Sequence, residues 1–328
     1  MSRSVLVGVD AGGTKTEAVG VDLANQKCFF TSGGPSNPAV VGVDRASDVI
    51  ADSIRKVLKG INREGTSPHI AAVSTAGIVS KHYADALSRK IAELLGYPAD
   101  RVIVFEDTLA AHASVFLLDD GAVGILGTGS NVCAVYGDRV IRVGGWGHLL
   151  GDEGSGYRIG LRGLREVLEC FDSLKRCSDL AEHIARSVGF KSTSDVLSYI
   201  YYSSNSKTAV SSIATLVMAA YRSGSEAAVK IVESEVEEFV KYITSVYRRV
   251  GTAKFKIGFV GSLYNENRDI LRNLLREKLS KLLGIDVEIL EQRIRTSCGA
   301  IIAGLKLVGD RTTLSAVLEA VEMCCLYK

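Results

Sequence analysis

Two glycine-rich turns contain residue types that bind phosphate groups. The first turn joins two short apolar segments and consists of Gly12, Gly13, Thr14 and Lys15. Glycine lets a ligand approach the main chain closely, and successive N–H groups in such a turn form a cradle for anions. A carboxylate at the end of the preceding strand can hold a cation or its waters, and Asp10 occupies that position. The first turn therefore predicts a phosphate site with Asp10 as the metal ligand.

A second turn of the same kind follows another apolar segment and consists of Gly127, Thr128, Gly129 and Ser130. The stretches Val7–Asp22 and Val123–Asp138 align without gaps and match at several strand and turn positions. This repeat predicts two related halves that bind one ligand, with a pair of ordinary hairpins as the alternative. The glycine spacing fits neither a dinucleotide fingerprint nor a P-loop.

Polar residues at the ends of other predicted strands add candidates for catalysis and binding. Asp107 follows the predicted strand Arg101–Glu106, a position typical of site residues in α/β sheets. A carboxylate there could take the proton of an attacking hydroxyl as general base. Alternatively, Asp107 caps the predicted helix Thr108–Leu118. Gly261 and Ser262 separate a strand from a helix, where they could contact a nucleotide or form a helix N-cap.

Length and composition limit the classes of protein. At 328 residues, with 47% hydrophobic and 23% charged residues, the chain is typical of a globular protein with two domains. The net charge of +2 argues against nucleic-acid or membrane-surface partners. No apolar run reaches the about 20 residues of a membrane span, and the N-terminus lacks the layout of a signal peptide. The odd number of cysteines, without any C-x-x-C pair, predicts reduced, mostly buried thiols in a cytoplasmic protein.

Hydrophobic periodicity predicts the elements that position these residues. The first half alternates strands and helices, which is typical of a mixed sheet covered by helices, whereas the second half becomes largely helical. A long amphipathic helix over 227–250 is predicted to expose its acidic residues, Glu235 among them. We predict one domain over 1–118 and another over 119–310, with a helical insertion near 162–224. A terminal helix near 311–328 is expected to pack back on the first domain.

The order of these motifs resembles the actin-like, sugar-kinase and heat-shock ATPase superfamily. Within it, Gly34–Asn37, Glu106-Asp107 and Gly144–Ser155 resemble N-acetylglucosamine kinases and the wider BadF/BadG/BcrA/BcrD ATPase family. The resemblance covers most of the chain. It implies an α/β fold of the two-domain actin-like ATPase (ribonuclease H-like) type. Each domain would contain a mixed five-stranded sheet with flanking helices, and a ligand cleft would lie between the domains.

The resemblance also implies an activity and a set of site residues. The protein would use ATP and Mg²⁺ to phosphorylate the 6-hydroxyl of N-acetylglucosamine or a related hexosamine or hexose. Asp107 would be the base, and both glycine turns with Gly261 and Ser262 would hold the nucleotide. The residues implied for substrate binding are Asn37, Thr75, Gly77, Asp107, Gly145, Trp146 and Asp152. Trp146 could instead be a buried anchor, Asp152 could instead help to place the metal, and Lys15 could instead face solvent.

Other functions stay open at this point. The enzyme could be a broad-specificity hexokinase or a glucosamine kinase. Activator ATPases of the same family bind an iron–sulfur cluster through cysteines, but the glycine-rich segments here contain none. A sugar-responsive regulator is a further alternative. The expected partners are a sugar and ATP, without nucleic acid or membrane, and similar kinases are commonly homodimers.

Overall fold

The computed structural model describes residues 4–78, 80–252, 254–284 and 287–326. The chain forms two compact units, one of Met1–Gly121 with Glu291–Lys328 and the other of Ala122–Leu290. The predicted second domain extended to residue 310, whereas the segment from Glu291 onwards belongs to the first unit. The reason is a helix, Thr296–Leu307, whose apolar residues join the core beneath the first sheet.

The first unit is built on a sheet in the order β3-β2-β1-β4-β5. Its strands are β1 (Val5–Ala11), β2 (Thr16–Asp22), β3 (Lys27–Gly33), β4 (Ile70–Thr75) and β5 (Val102–Glu106). The first three strands pair antiparallel, and β4 is parallel to both β1 and β5. The carboxyl ends of β1, β4 and β5 therefore lie at one edge of the sheet.

Helices cover both faces of this sheet, so its central strands are buried on both sides. They are α1 (Pro38–Val41), α2 (Val43–Gly60), α3 (Lys81–Leu95), α4 (Asp107–Phe116), α12 (Thr296–Leu307) and α13 (Arg311–Cys324). Gly8 explains how α12 packs so closely on β1, because a Cβ at Gly8 would overlap the Ser297 carbonyl oxygen. Residues 311–324 thus form a helix of the first unit.

The second unit is built on a sheet in the order β10-β9-β6-β7-β8. Its strands are β6 (Gly121–Leu126), β7 (Ser130–Tyr136), β8 (Arg139–Gly144), β9 (Lys256–Val260) and β10 (Glu288–Leu290). Strands β6, β9 and β10 run parallel, whereas β7 and β8 are antiparallel. The predicted fold class, with two mixed five-stranded sheets and flanking helices, is confirmed.

Seven helices complete the second unit within its described residues. They are α5 (Gly156–Phe171), α6 (Asp179–Val188), α7 (Thr193–Tyr201), α8 (Ser206–Arg222), α9 (Glu226–Val250), α10 (Ser262–Glu266) and α11 (Arg268–Leu283). They share one apolar core with the sheet. Across both units, no helix in the described ranges combines the length and the apolarity that a membrane crossing requires.

Three disulfide bonds correct the prediction of reduced thiols. They join Cys28 to Cys324, Cys170 to Cys177, and Cys298 to Cys325, with Cα–Cα separations of 6.2, 4.7 and 6.3 Å. These separations lie within the usual range for a disulfide. Sequence spacing could not reveal the first bridge, because its cysteines are 296 positions apart and meet only where α13 ends beside β3. Cys133 lies outside these three bridges, and it is buried.

We expect one reactive thiol per chain in denaturant without reductant, because only Cys133 lies outside the three bridges. Reduction should raise the number to seven. Thiol titration or alkylation followed by mass spectrometry measures both values. The variant Cys133→Ser serves as the control and should give no reactive thiol before reduction. Seven thiols in unreduced protein would contradict all three bridges.

Candidate active site

Two acidic residues come together at the carboxyl edge of the first sheet. Asp10 lies near the end of β1, and Asp107 is the first residue of α4, immediately after β5. Burial, together with the charges of Asp107 and Glu17, raises the pKa of Asp10 to about 7, while Lys15 acts in the opposite direction. The fold thus brings the predicted metal ligand and the predicted general base into electrostatic contact.

This cluster has the chemistry of a divalent-cation site. Mg²⁺ prefers hard oxygen ligands, and carboxylates that repel one another are stabilised by a bound cation. Asp10 supplies such oxygens and Asp107 lies within electrostatic reach of it, so the donor chemistry fits the ion that the sequence implied. Among the described residues, no three acidic, histidine or cysteine side chains lie close enough together to ligate one ion. Glu17 was not singled out from the sequence. It accepts hydrogen bonds from Ser297 Oγ at 3.0 Å and from an Arg295 guanidinium nitrogen at 3.3 Å.

The first glycine turn is held in shape by its own main chain. The Gly12 N–H donates to the Lys15 carbonyl oxygen at 3.0 Å, and the Gly12 carbonyl oxygen accepts from the N–H groups of Ser36 and Asn37, also at 3.0 Å. Within the described ranges, the N–H groups of Gly13 and Thr14 donate no hydrogen bond. Thr14 and Lys15 are exposed. This turn can therefore offer main-chain and hydroxyl donors to an anion.

Three residues predicted to bind substrate also lie in the first unit. Asn37 is the N-cap of α1, and its Oδ1 accepts from the Ala39 N–H at 2.9 Å. Gly77 lies against this side chain, because a Cβ at Gly77 would be 2.8 Å from Asn37 Oδ1. Thr75 is fully buried, and its hydroxyl donates to the Ala11 carbonyl oxygen at 3.0 Å. Burial favours a structural role for Thr75, which ties β4 to β1, over a direct sugar contact.

The second glycine turn connects β6 to β7 and is anchored by the segment Asp152–Tyr157. The Ser130 hydroxyl donates to the Glu153 carbonyl oxygen at 2.6 Å, and the Ser130 N–H donates to Asp152 Oδ1 at 3.3 Å. The N–H groups of Gly156 and Tyr157 donate to the carbonyl oxygens of Gly127 and Thr128 at 2.8 and 3.2 Å. The turn is therefore fixed along its whole length.

These bonds decide which donors the second turn can offer. The Gly127 N–H donates to the Gly129 carbonyl oxygen, and the Ser130 N–H is engaged by Asp152. In the part of the chain that the structure describes, the N–H groups of Thr128 and Gly129 make no such bond. The second turn can therefore offer the N–H groups of Thr128 and Gly129 to an anion, because the inner support of the turn uses the other two.

The predicted adenosine segment lies next to this turn. Gly261 directly follows β9, the strand that pairs with β6. Its φ of 109° is in the region that favours glycine. A Cβ at Gly261 would overlap the Leu126 carbonyl oxygen, so the two strand ends approach closely. Gly261 is the N-cap of α10 and Ser262 is its first residue, so the segment does begin a helix, although no side chain caps it.

The glycine-rich loop after β8 presents Trp146 to solvent. The Gly145 N–H donates to the Ser130 carbonyl oxygen at 3.1 Å, which ties the loop to the second turn. Trp146 is 60% exposed and meets the edge of Tyr242 at a ring-centroid distance of 5.7 Å. The alternative of a buried anchor for Trp146 is therefore wrong. Asn131, which follows the turn directly, is buried, and its Oδ1 has no hydrogen-bond partner among the described residues.

Asp152 and Glu153 are each held by a residue of a helix, Lys207 of α8 and Tyr242 of α9. Asp152 Oδ2 accepts from Lys207 Nζ at 3.0 Å. Glu153 accepts a hydrogen bond from the Tyr242 hydroxyl, and burial together with this bond raises the pKa of Tyr242, so the phenol stays protonated as a donor. Neither partner could be identified from the sequence, because each contact joins residues more than 50 positions apart.

Glu235 is a correction to the predicted solvent face of α9. Glu235 is only 2% exposed, and its Oε2 accepts a hydrogen bond from the Gly154 N–H at 3.0 Å. The guanidinium groups of Arg162 and Arg158 lie 3.4 and 3.9 Å from its carboxylate oxygens. The spacing held a signal for this position, because Glu235 falls between Val232 and Phe239 on the apolar stripe of the helix.

We expect Glu235→Gln to lower the free energy of unfolding by about 1–3 kcal/mol, because the buried carboxylate loses its charge-assisted bonds to Gly154 and Arg162 and its ion pair with Arg158. Chemical denaturation measures this value. The matched control is Glu238→Gln on the same helix, whose pair with Lys241 is exposed and whose loss should cost no more than about 0.5 kcal/mol. Equal effects of the two substitutions would contradict the anchoring role of Glu235.

Two mixed five-stranded sheets, each with a glycine turn after its first strand, define a protein of the actin-like ATPase class. Solved structures share this fold. A Chromobacterium violaceum protein described as a candidate N-acetylglucosamine kinase aligns with a TM-score of 0.73 at 19% identity, over 92% of this chain and 99% of that one. A ROK hexokinase from Thermus thermophilus aligns with a TM-score of 0.55 at 15% identity, over 93% and 99%.

The chain matches the BadF/BadG/BcrA/BcrD ATPase family over residues 7–302 and belongs to that family. An N-acetylmuramic acid/N-acetylglucosamine kinase of Clostridium acetobutylicum is 27% identical over 306 residues, which are 90% of this chain and 97% of that protein. An N-acetyl-D-glucosamine kinase of Dictyostelium discoideum is 28% identical, over 93% of this chain and 99% of that protein.

Proposed function

We propose that the protein is an ATP-dependent sugar kinase that transfers the γ-phosphate to the 6-hydroxyl of N-acetylglucosamine or a related hexosamine or hexose. The observation that carries the proposal is the pairing of Asp107 with Asp10 at one sheet edge, where an acceptor hydroxyl needs a base and phosphates need a cation. The kinase activities named for two relatives of nearly the same length support this acceptor class.

Asp107 is the proposed general base. Phosphoryl transfer depends mostly on positioning and on stabilisation of charge, and a carboxylate within reach of the acceptor hydroxyl takes its proton as the bond to phosphorus forms. At the first position of α4, the Asp107 carboxylate also lies at the positive end of the helix dipole, which stabilises a negative charge there. Asp10 is the proposed ligand of Mg²⁺, which when bound neutralises charge on the phosphate oxygens.

The nucleotide would be held by main-chain donors. In the first unit these are the N–H groups of Gly13 and Thr14, with the exposed Lys15 nearby. In the second unit they are the N–H groups of Thr128 and Gly129. The Gly261-Ser262 segment, adjacent to the second turn, would lie against the adenosine.

The acceptor sugar would contact polar and aromatic groups. Asn37 and Gly77 form one such surface in the first unit. In the second unit, Gly145 and the exposed Trp146 would border the sugar, and Asp152 would support this loop through the second turn. The unpartnered Oδ1 of the buried Asn131 adds an acceptor that sugar hydroxyl or amide groups could satisfy.

We also retain a cytoplasmic homodimer as part of this proposal, on the basis of the family resemblance alone. The cysteine argument for the cytoplasm no longer supports it, because six of the seven cysteines are paired. The domain limits proposed for the chain now follow the two compact units, with the helical region as part of the second.

ADP release in the presence of ATP and Mg²⁺ tests the proposed activity. The acceptors are N-acetylglucosamine, glucosamine, N-acetylmannosamine, glucose and mannose, and we expect the strongest stimulation with N-acetylglucosamine. The 6-deoxy analogue of the best sugar should give no stimulation, because the reacting hydroxyl is absent. Comparable rates with several sugars would favour a broad hexokinase. Failure of every sugar, in protein that binds ATP, would contradict the proposal.

We expect Asp107→Asn to lower kcat at least about 100-fold, because the amide cannot accept the hydroxyl proton. The KM for ATP should change by no more than about threefold, since the proposed nucleotide contacts lie elsewhere. Asp52→Asn, at an exposed position of α2 in the same unit, is the control and should keep the parent activity. If Asp107 only stabilises α4, its variant will unfold more readily but turn over at nearly the parent rate.

A further inference from the structure

The carboxylate of Asp152 connects the second glycine turn to helix α8. One oxygen accepts the Ser130 N–H at 3.3 Å, and the other accepts from Lys207 Nζ at 3.0 Å. Lys207 is the second residue of α8, within the helical region 162–224 that showed no motif in the sequence. The side chains of Asp152 and Lys207 are only 4% and 22% exposed. A single carboxylate thus bridges a helix and a phosphate-binding turn.

The position of Asp152 is set by its contacts, because its backbone is unfavourable. Its φ of 64° lies in the left-handed region, which non-glycine residues seldom adopt. The carboxylate lies directly beneath the turn, since a Cβ at Gly129 would be 2.9 Å from Asp152 Oδ2 and 3.1 Å from Oδ1. A shift of this carboxylate would therefore disturb the Gly129–Ser130 main chain at once.

Lys207 supplies the positive charge that this buried carboxylate needs. Asp152 also interacts electrostatically with His148 of the loop, Tyr157 of α5 and Tyr242 of α9. Burial and the Lys207 ammonium lower the pKa of His148, so its ring is neutral at pH 7. Both tyrosines are neutral as well, because burial raises the pKa of each. An unpaired carboxylate in such a place is costly, so removal of Lys207 would displace Asp152.

We propose that Lys207 is a positioning residue for phosphoryl transfer, which acts by holding Asp152 against the Gly129–Ser130 main chain. This inference rests on the proposed kinase function. The ammonium fixes the carboxylate, the carboxylate fixes the Ser130 N–H, and the turn then keeps the Thr128 and Gly129 N–H groups aimed at the phosphates. A helix without any recognised motif thereby controls the geometry of the nucleotide site.

The experiment compares Lys207→Met and Lys207→Arg in the full-length protein. We expect Lys207→Met to lower kcat/KM for ATP about 10-fold or more, and to weaken equilibrium binding of a non-hydrolysable ATP analogue to a similar degree. Lys207→Arg keeps a donor and a charge for Asp152 and should recover most of both values. The matched control is Lys278→Met, which removes a lysine that is 17% exposed and paired with Glu237 in the same unit. This control should change neither value.

A double-mutant cycle distinguishes positioning from direct contact with phosphate. In an Asp152→Asn background, Lys207→Met should cost little more, because the lysine no longer has its carboxylate partner. A full additional loss in that background would overturn the proposal, and so would parent-like activity of Lys207→Met. Binding of the analogue is measured without any sugar. One outcome separates this proposal from the kinase assignment. If no sugar stimulates ADP release but Lys207→Met weakens binding of the ATP analogue and Lys278→Met does not, the kinase assignment is wrong and the link from Lys207 to the turn is supported.

Discussion

The second unit depends on four hydrogen bonds between its glycine turn and the segment Asp152–Tyr157. Glycine-rich turns have little stiffness of their own, because their residues lose more conformational entropy on folding than any others. Here the stiffness comes from outside the turn. The segment is in turn fixed by Glu235 through Gly154 and by Lys207 through Asp152. Two helices therefore determine the shape of a loop in which neither of them takes part.

The glycine turn of the first unit is also held in shape, but by different contacts. Its turn closes on itself through Gly12 and Lys15, and the Gly12 carbonyl oxygen accepts hydrogen bonds from the N–H groups of Ser36 and Asn37. The repeated sequence pattern therefore predicts the hairpin but not the residues that hold its turn in place. The two halves therefore differ in what supports each turn, which is the main chain of Ser36 and Asn37 in the first unit and the segment Asp152–Tyr157 in the second.

The sequence was sufficient for most of the fold and part of the site because those features are local. Strand β5 ended at Glu106, as the pattern predicted, and the strand-end positions of Asp10 and Asp107 followed from the parallel order of β1, β4 and β5. The burial of Glu235 could be inferred from its place on the apolar stripe of α9, but the partners of Glu235 and Lys207 could not be identified in this way. Each becomes significant only through a residue 55 or more positions away, and an acidic residue on a helix gives no sign of its partner. The placement of α12 in the first unit was missed for the same reason, since packing on β1 decides it.

The bridge between Cys28 and Cys324 has a topological consequence. The two cysteines lie in the two separate segments of the first unit, so the bridge closes a covalent ring that contains the whole of the second unit. A single cleavage of the main chain within that ring would leave one covalently connected molecule. The exposed Tyr201 and Tyr202, at the end of α7, mark one place where such a cleavage could occur. The second unit is therefore an insertion that stays covalently linked to both segments of the first unit after any single cleavage within the ring.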